Sequence, residues 1–347
     1  MTRFLRRAVM LRLLVLVLTT IVASACAEVA FRWHVWRRFE LKFPPWTDNL
    51  VRLPAPQVFE LKPNATGVFP GGVDPTRTFP YRTNAHGLRD RDRSGKKLGT
   101  KRVLVIGDSY TWGYAVAEEE AYPQVAERLL KERGHPDIEV INGGVPDYNS
   151  RQERQLLERL LPVYEPDAVV LSYVMNDAEP STALPTPPDE TYRHANSWFL
   201  AELAEVANRH LFKRRVFETN KDTVSGAYLE GFASSSSKWK DSKQAMREMR
   251  DLCAAARIPF VVVILPDFTQ DFGDRYGFQP IHDAVASWGR ELNVPVHDLL
   301  IPLRGEDHQS LSVPWDGHPN AEAHRRLAEF LVGRILEAPG LSTDRHR

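Results

Sequence analysis

The chain has 347 residues, 43% hydrophobic and 26% charged, which is ample for a sizeable core. Lysine plus arginine equals aspartate plus glutamate, 45 against 45, so no basic excess points to nucleic acid and no acidic partner is implied. Two cysteines, Cys26 in an apolar N-terminal segment and Cys253 in a predicted helix, exclude a disulfide framework.

Residues 1–35 read as a signal or membrane anchor. Arg3, Arg6 and Arg7 precede an apolar run from Leu13 to Ala27, roughly fifteen residues long. Arginines on that flank stay in the cytoplasm and send the rest of the chain across. The run is short of the ~20 residues that span a bilayer comfortably, and Arg12 and Glu28 lengthen it by snorkelling. Two outcomes stay open. Either the segment is an uncleaved anchor, or the chain is cut at Ala23-Ser24-Ala25 or Ala25-Cys26-Ala27. Ala23 stands where lipidation signals carry leucine, which argues against a lipidated Cys26.

Residues 36–100 read as a stalk and lead-in. Pro44-Pro45, Pro54, Pro56, Pro63 and Pro70-Gly71-Gly72 punctuate them, and no helical period persists. Regular α/β alternation starts at Lys101. Strands are predicted over 102–106, 138–141, 168–173, 260–265 and 295–297, and helices over 122–133, 152–161 and 321–336. Strands separated by helices imply parallel pairing with right-handed crossovers, and sites beyond the strands' carboxyl ends. The expectation is a three-layer α/β/α fold over 101–340, with a central parallel sheet of about five strands. An insertion at about 178–240 interrupts it. Its proline-rich opening leads to a helix with Leu200, Leu203, Ala204, Ala207 and Leu211 on one face, and a second helix spans 238–256. The insertion is a candidate lid or a packing elaboration.

Four motifs carry chemistry. The first strand runs into Gly107-Asp108-Ser109, where a tight strand-to-helix turn would present Ser109 and aim helix N–H groups at developing negative charge. The second ends in Asn142-Gly143-Gly144-Val145-Pro146, where a glycine lets a backbone N–H approach a substrate oxygen. The third ends in Val174-Met175-Asn176-Asp177, and an Asn amide can donate to an oxyanion. Before the last helix stands Asp316-Gly317-His318-Pro319-Asn320. There His318 is a candidate base, and Asp316 a candidate to hold its ring in the useful tautomer. Each motif alone also suits an ordinary turn. Asp108 and Asp177 read as structural turn acids. His297-Asp298 lacks further clustered ligands, so no metal is expected, and no glycine-rich phosphate loop follows a strand.

In this order, and over roughly Lys101 to Leu336, the four motifs resemble the SGNH (GDSL-type) hydrolases. The resemblance implies Ser109 as nucleophile and Asp316 and His318 as the rest of a triad. It also implies an oxyanion hole from the Ser109 N–H, Gly144 and Asn176. Gly143 competes with Gly144, and the spacing to Val145-Pro146 favours Gly144. The lead-in, Leu61 to Asn64 with Tyr81 to Asp90, looks like the stalk of exported members. Three departures stand out: Tyr110 replaces leucine, Val174 replaces glycine, and Asp316 lies two residues from the histidine where many members have three. The implied activity is cleavage of an acyl ester through an acyl-enzyme, without a cofactor, on the non-cytoplasmic side. Its substrate would be a carbohydrate or lipid ester, and the membrane a partner through the N-terminal segment. An O-acyltransferase acting on cell-envelope glycans, or a non-catalytic envelope binding module, are the alternatives.

Overall fold

The computed structural model describes residues 3–42, 49–53, 59–71, 74–93, 95–179, 195–203, 228–314 and 317–337. They fall into two compact units, one of residues 1–44 and 185–221, the other of residues 45–184 and 222–347.

The larger unit is built on five parallel strands: β5 (Lys101–Gly107), β6 (Ile138–Gly144), β7 (Ala168–Tyr173), β8 (Phe260–Ile264) and β9 (Val296–Asp298). Their order is β6-β5-β7-β8-β9. Val103 to Ile106 of β5 are fully buried, as a strand covered on both faces must be, which is why its apolar run is continuous rather than alternating. α3 (Tyr122–Glu132) follows β5, and α4 (Ser150–Tyr164) follows β6. In α3, Tyr122, Val125, Ala126 and Leu130 form the buried stripe, and it packs against the terminal helix Ala321–Glu337. α4 packs against the helix Ser237–Ala256, which puts the second helical layer on the sheet. The chain leaves β5 toward β6, then crosses back past β5 to form β7. The two crossovers run in opposite directions from β5, so a crevice opens beyond the carboxyl ends of β5 and β7.

The three-layer expectation holds, with strand ends shifted by a residue or two. A helix at Gln279–Leu292, absent from the predicted elements, provides the crossover between β8 and β9. Its signal was present, with Ile281, Val285, Trp288 and Leu292 buried at helical spacing.

The stretch expected to be a stalk differs more. β1 (Leu50–Arg52) pairs with β2 (Phe59–Leu61), and β3 (Thr66–Gly71) with β4 (Asp74–Arg82), both antiparallel. These hairpins belong to the same compact unit as the sheet. Phe59, Leu61, Phe69, Tyr81 and Leu88 are buried in its core, and Tyr148 Oη donates to the Phe59 carbonyl at 2.6 Å. Short strands broken by proline carry too little periodicity to be read as elements. The buried side chain of Arg93 closes the join. It reaches Asp90 at 2.8 Å, Glu127 at 2.7 Å and the Val140 carbonyl at 2.6 Å, tying the lead-in to α3 and β6.

In the smaller unit, α1 (Arg3–Lys42) contains a stretch, Arg7–Arg37, long and apolar enough to cross a membrane. The helix outruns the expected boundary at residue 35. Part of the insertion, residues 185–221, is assigned to this unit, and its described piece carries a helical segment at 198–203.

Candidate active site

β5 delivers the nucleophile turn. Asp108 caps the four-residue helix α2 (Ser109–Trp112), its Oδ1 accepting the Tyr110 N–H at 2.9 Å. Gly113, in the left-handed region at φ 85°, ends that helix. A Cβ on Gly107 would stand 2.1 Å from Thr111 Oγ1, so only glycine lets the strand turn this tightly. Ser109 is half-buried, and its Oγ lies 2.9 Å from His318 Nε2 and 3.3 Å from Asp108 Oδ2. A hydroxyl has one proton to give, and the shorter contact puts it on the histidine. The Ser109 backbone N–H has no hydrogen-bond acceptor among the described residues.

Gly144 closes β6 opposite Gly107 in the parallel register. A Cβ there would meet the Trp112 backbone nitrogen at 2.2 Å, so the glycine is required for β6 to pass under α2. Its N–H, expected to face a substrate oxygen, instead donates to Asn142 Oδ1 at 2.9 Å. Gly144→Ala is therefore expected to destabilise the fold by about 1–3 kcal/mol, because the added methyl overpacks a backbone that cannot retreat. A denaturant midpoint measures this, and an unchanged midpoint would mean that α2 is free to move.

Asn176 sits on a single turn of 3₁₀ helix, Met175–Ala178, just past β7. One of its amide hydrogens goes to Asp108 Oδ2 at 3.1 Å. Asp108 thus ties the Ser109 turn to the Asn176 turn across the crevice. It is wholly buried, and burial pushes its carboxyl up. Asp177 holds the 3₁₀ turn from beneath, accepting the Val174 N–H at 2.6 Å. Behind it lies Glu153 of α4, fully buried and interacting directly with Asp177. Burial pushes both carboxyls well up, so the pair holds a proton where free carboxylates have lost theirs. The folded state then binds more protons than the unfolded chain above the ordinary carboxyl range, and stability falls as pH rises through that window. Glu153→Gln supplies a permanent donor. It is expected to raise the unfolding midpoint at neutral pH and to flatten its pH dependence. Parallel pH–stability curves for the two proteins would refute the raised Glu153 carboxyl.

His318 lies on the loop before the helix Ala321–Glu337, at 2.9 Å from the serine as given above. Val313 N–H donates to the His318 carbonyl at 2.7 Å, and Gly317 takes φ 80° beside Thr269. Tyr114 lies tilted against the imidazole at 4.2 Å between ring centroids, and Tyr110 meets its edge at 5.2 Å. Tyr110 Oη also donates to the Gly317 carbonyl at 3.1 Å. The tyrosine that departs from the expected leucine therefore tethers the histidine loop to the nucleophile helix. Tyr110→Phe removes one hydrogen bond worth about 1 kcal/mol net, so kcat is expected to fall several-fold with KM nearly unchanged. A kcat equal to wild type would show that the ring packing alone positions the loop. Asp316 lies outside the described residues. Among the described residues no group of three or more His, Cys, Asp or Glu is placed to hold a metal ion.

The family model for the GDSL-like lipase/acylhydrolase family matches residues 105–326, well over half of the chain. The chain belongs to that family. Its members hydrolyse ester bonds, and the matched span runs from β5 through the His318 loop. An arylesterase of Vibrio mimicus is 31% identical over 84 residues, which is 24% of this chain and 42% of that protein. The chain thus spans less than half the length of that curated relative. Among solved structures, the psychrotrophic esterase EstA from Pseudoalteromonas sp. aligns with 69% of this chain and 100% of its own at 16% identity, TM-score 0.42. A lipase/acylhydrolase from Enterococcus faecalis aligns with 68% and 95% at 15% identity, TM-score 0.42.

Within this GDSL-like domain, Ser109, Asn176 and His318 converge on one crevice, and Gly144 lies beneath it. Sequence reasoning missed Arg89. This fully buried arginine donates to the carbonyls of Trp112 at 3.1 Å, Gly113 at 2.6 Å and Val116 at 2.8 Å. It also stacks on the Trp112 ring at 4.4 Å. The Trp112 carbonyl closes α2, and the Gly113 and Val116 carbonyls lie in the loop beyond it; the guanidinium's planar fork reaches all three at once. Burial pushes Arg89 down to about 10, so it remains charged at neutral pH. The one available signal was a charged pair, Arg89-Asp90, directly after a glycine turn.

Proposed function

We propose that this chain cleaves an acyl ester with Ser109 as nucleophile and His318 as general base. The observation that carries the reading is the 2.9 Å contact between Ser109 Oγ and His318 Nε2, at the carboxyl edge of a parallel sheet. His318 takes the serine proton as Oγ attacks the carbonyl. The protonated ring then gives that proton to the departing alcohol, leaving an acyl-serine that water releases. Asp316, two residues from the base, completes the proposed triad by holding the imidazolium.

The oxyanion is proposed to rest on the Ser109 N–H and the second amide hydrogen of Asn176. The first hydrogen of Asn176 is anchored on Asp108, which fixes the direction of the second. Gly144 contributes through shape, since its N–H is engaged with Asn142. The domain is proposed to work on the non-cytoplasmic face, held by α1, with the end carrying Arg3, Arg6 and Arg7 inside.

A fluorophosphonate probe tests this directly. Expected is a single phosphonyl adduct, found on the peptide containing Ser109, that does not form in His318→Ala. Labelling at another serine, or no labelling of active protein, would overturn the assignment.

A further inference from the structure

In the smaller unit, the described residues of α1 and the insertion are latched around Glu28. Glu28 of α1 accepts hydrogen bonds from Ser197 Oγ at 2.7 Å, Trp198 N–H at 2.9 Å and Phe199 N–H at 3.1 Å. A carboxylate on one helix thereby caps the start of another. Arg32, a turn further along α1, pairs with Glu28 at 2.7 Å and lays its guanidinium over the Trp198 ring at 4.8 Å. Phe31 meets Phe199 edge to face at 5.7 Å.

The latch lies where the apolar run of α1 ends. Leu13 to Ala27 are followed at once by Glu28, then by Arg32, Trp33, Trp36 and Arg37. Tryptophan beyond an apolar run marks the level of lipid headgroups. At that level the segment beginning at Ser197 turns apolar side chains outward. Leu200 is 61% and Leu203 53% exposed, and Phe199 is half-exposed. A groove of about 680 Å³ runs between Phe199, Leu200 and the small residues Thr20, Ala23 and Ser24 of α1.

We propose that segment 197–203 is a membrane collar: it lies in the outer headgroup–acyl boundary of a phospholipid bilayer, with Phe199, Leu200 and Leu203 in lipid. Continuity with the apolar helix selects the occupant, because the same bilayer that covers Leu13 to Ala27 reaches the latch. The latch also requires that α1 is retained. Cleavage after Ala25 or Ala27 would leave Glu28 within three residues of a frayed end, unable to hold a cap. The collar rests on the proposed anchor reading and is independent of the hydrolase chemistry.

The test uses the full chain in phosphatidylcholine vesicles, with Cys26 and Cys253 replaced by alanine and a single cysteine at Leu200 or Leu203. Each is labelled with an environment-sensitive fluorophore. Expected are a blue-shifted emission and quenching stronger by lipids spin-labelled near the headgroup than near the chain end. A label at the exposed Lys240 should stay water-like. Glu28→Ala should lose the quenching at both positions while the chain still sediments with vesicles, and the mass of the membrane-extracted chain should include α1. If the chain stays intact and vesicle-bound but the labels at 200 and 203 report water, the collar falls and the anchor stands. If α1 is removed and the chain is soluble, both fall. If Glu28→Ala leaves the quenching unchanged, the latch does not set the collar.

Discussion

Ser109→Ala and His318→Ala are each expected to lower ester hydrolysis by about four to six orders of magnitude, with the fold intact. Both side chains are half-buried at the crevice, so truncation opens no core cavity and the unfolding midpoint should move little. The reason for the size of the effect is that the two groups act as one unit. Without His318 the serine hydroxyl has, among the described residues, only Asp108 as an alternative acceptor, at 3.3 Å. That carboxyl already accepts the Tyr110 N–H and the Asn176 amide, so it is occupied, and a buried acid whose protonation is favoured makes a poor base. Without Ser109 the histidine has no nucleophile to activate. The double variant should therefore lose little beyond either single one. Additive losses in single-turnover measurements would count against a shared proton path between the two residues.

Much of the crevice was legible because parallel strands buried on both faces write themselves as apolar runs. Val103 to Ile106 lead through Gly107 to Asp108 and Ser109, and Ala168 to Tyr173 lead through Val174 and Met175 to Asn176, and those polar residues are the ones the sheet brings together. Less legible was what supports them. Gly144 has the residue type and place of a hydrogen-bond donor to substrate. Its N–H is nonetheless taken by Asn142, a side chain two residues back that no spacing rule announces. The hairpins over 50–82 were read as a stalk because proline masks short strands. Yet Phe69 and Tyr81 pack on Trp112, directly on the nucleophile helix, with ring centroids at 5.0 and 5.3 Å. Arg89 and the Glu153–Asp177 pair are buried charges, and a sequence shows a charge without its burial. Asp177 was read as a turn acid, and its bond to the Val174 N–H agrees with that role. Asp108 does more than shape a turn, since it joins the two halves of the crevice.

That joint determines what should happen at Asn176. Asn176→Ala is expected to lower kcat by about 10²–10³ and to leave KM nearly unchanged, because the hydrogen bond strengthens only as charge develops on the substrate oxygen. The change also strips Asp108 Oδ2 of its 3.1 Å donor, so a small loss of stability should accompany it. If Asn176 served only to tie the turns together, stability would fall and kcat per folded molecule would stay near wild type. Measuring kcat and the unfolding midpoint on the same preparations separates the two. Asn176→Asp is the sharper variant. It keeps the size of the side chain, removes both donors and sets a carboxylate against Asp108 on one side and the oxyanion on the other. Its kcat should therefore lie below that of the alanine variant. An aspartate variant more active than alanine would place the oxyanion away from Asn176 and leave the Ser109 N–H as its principal donor.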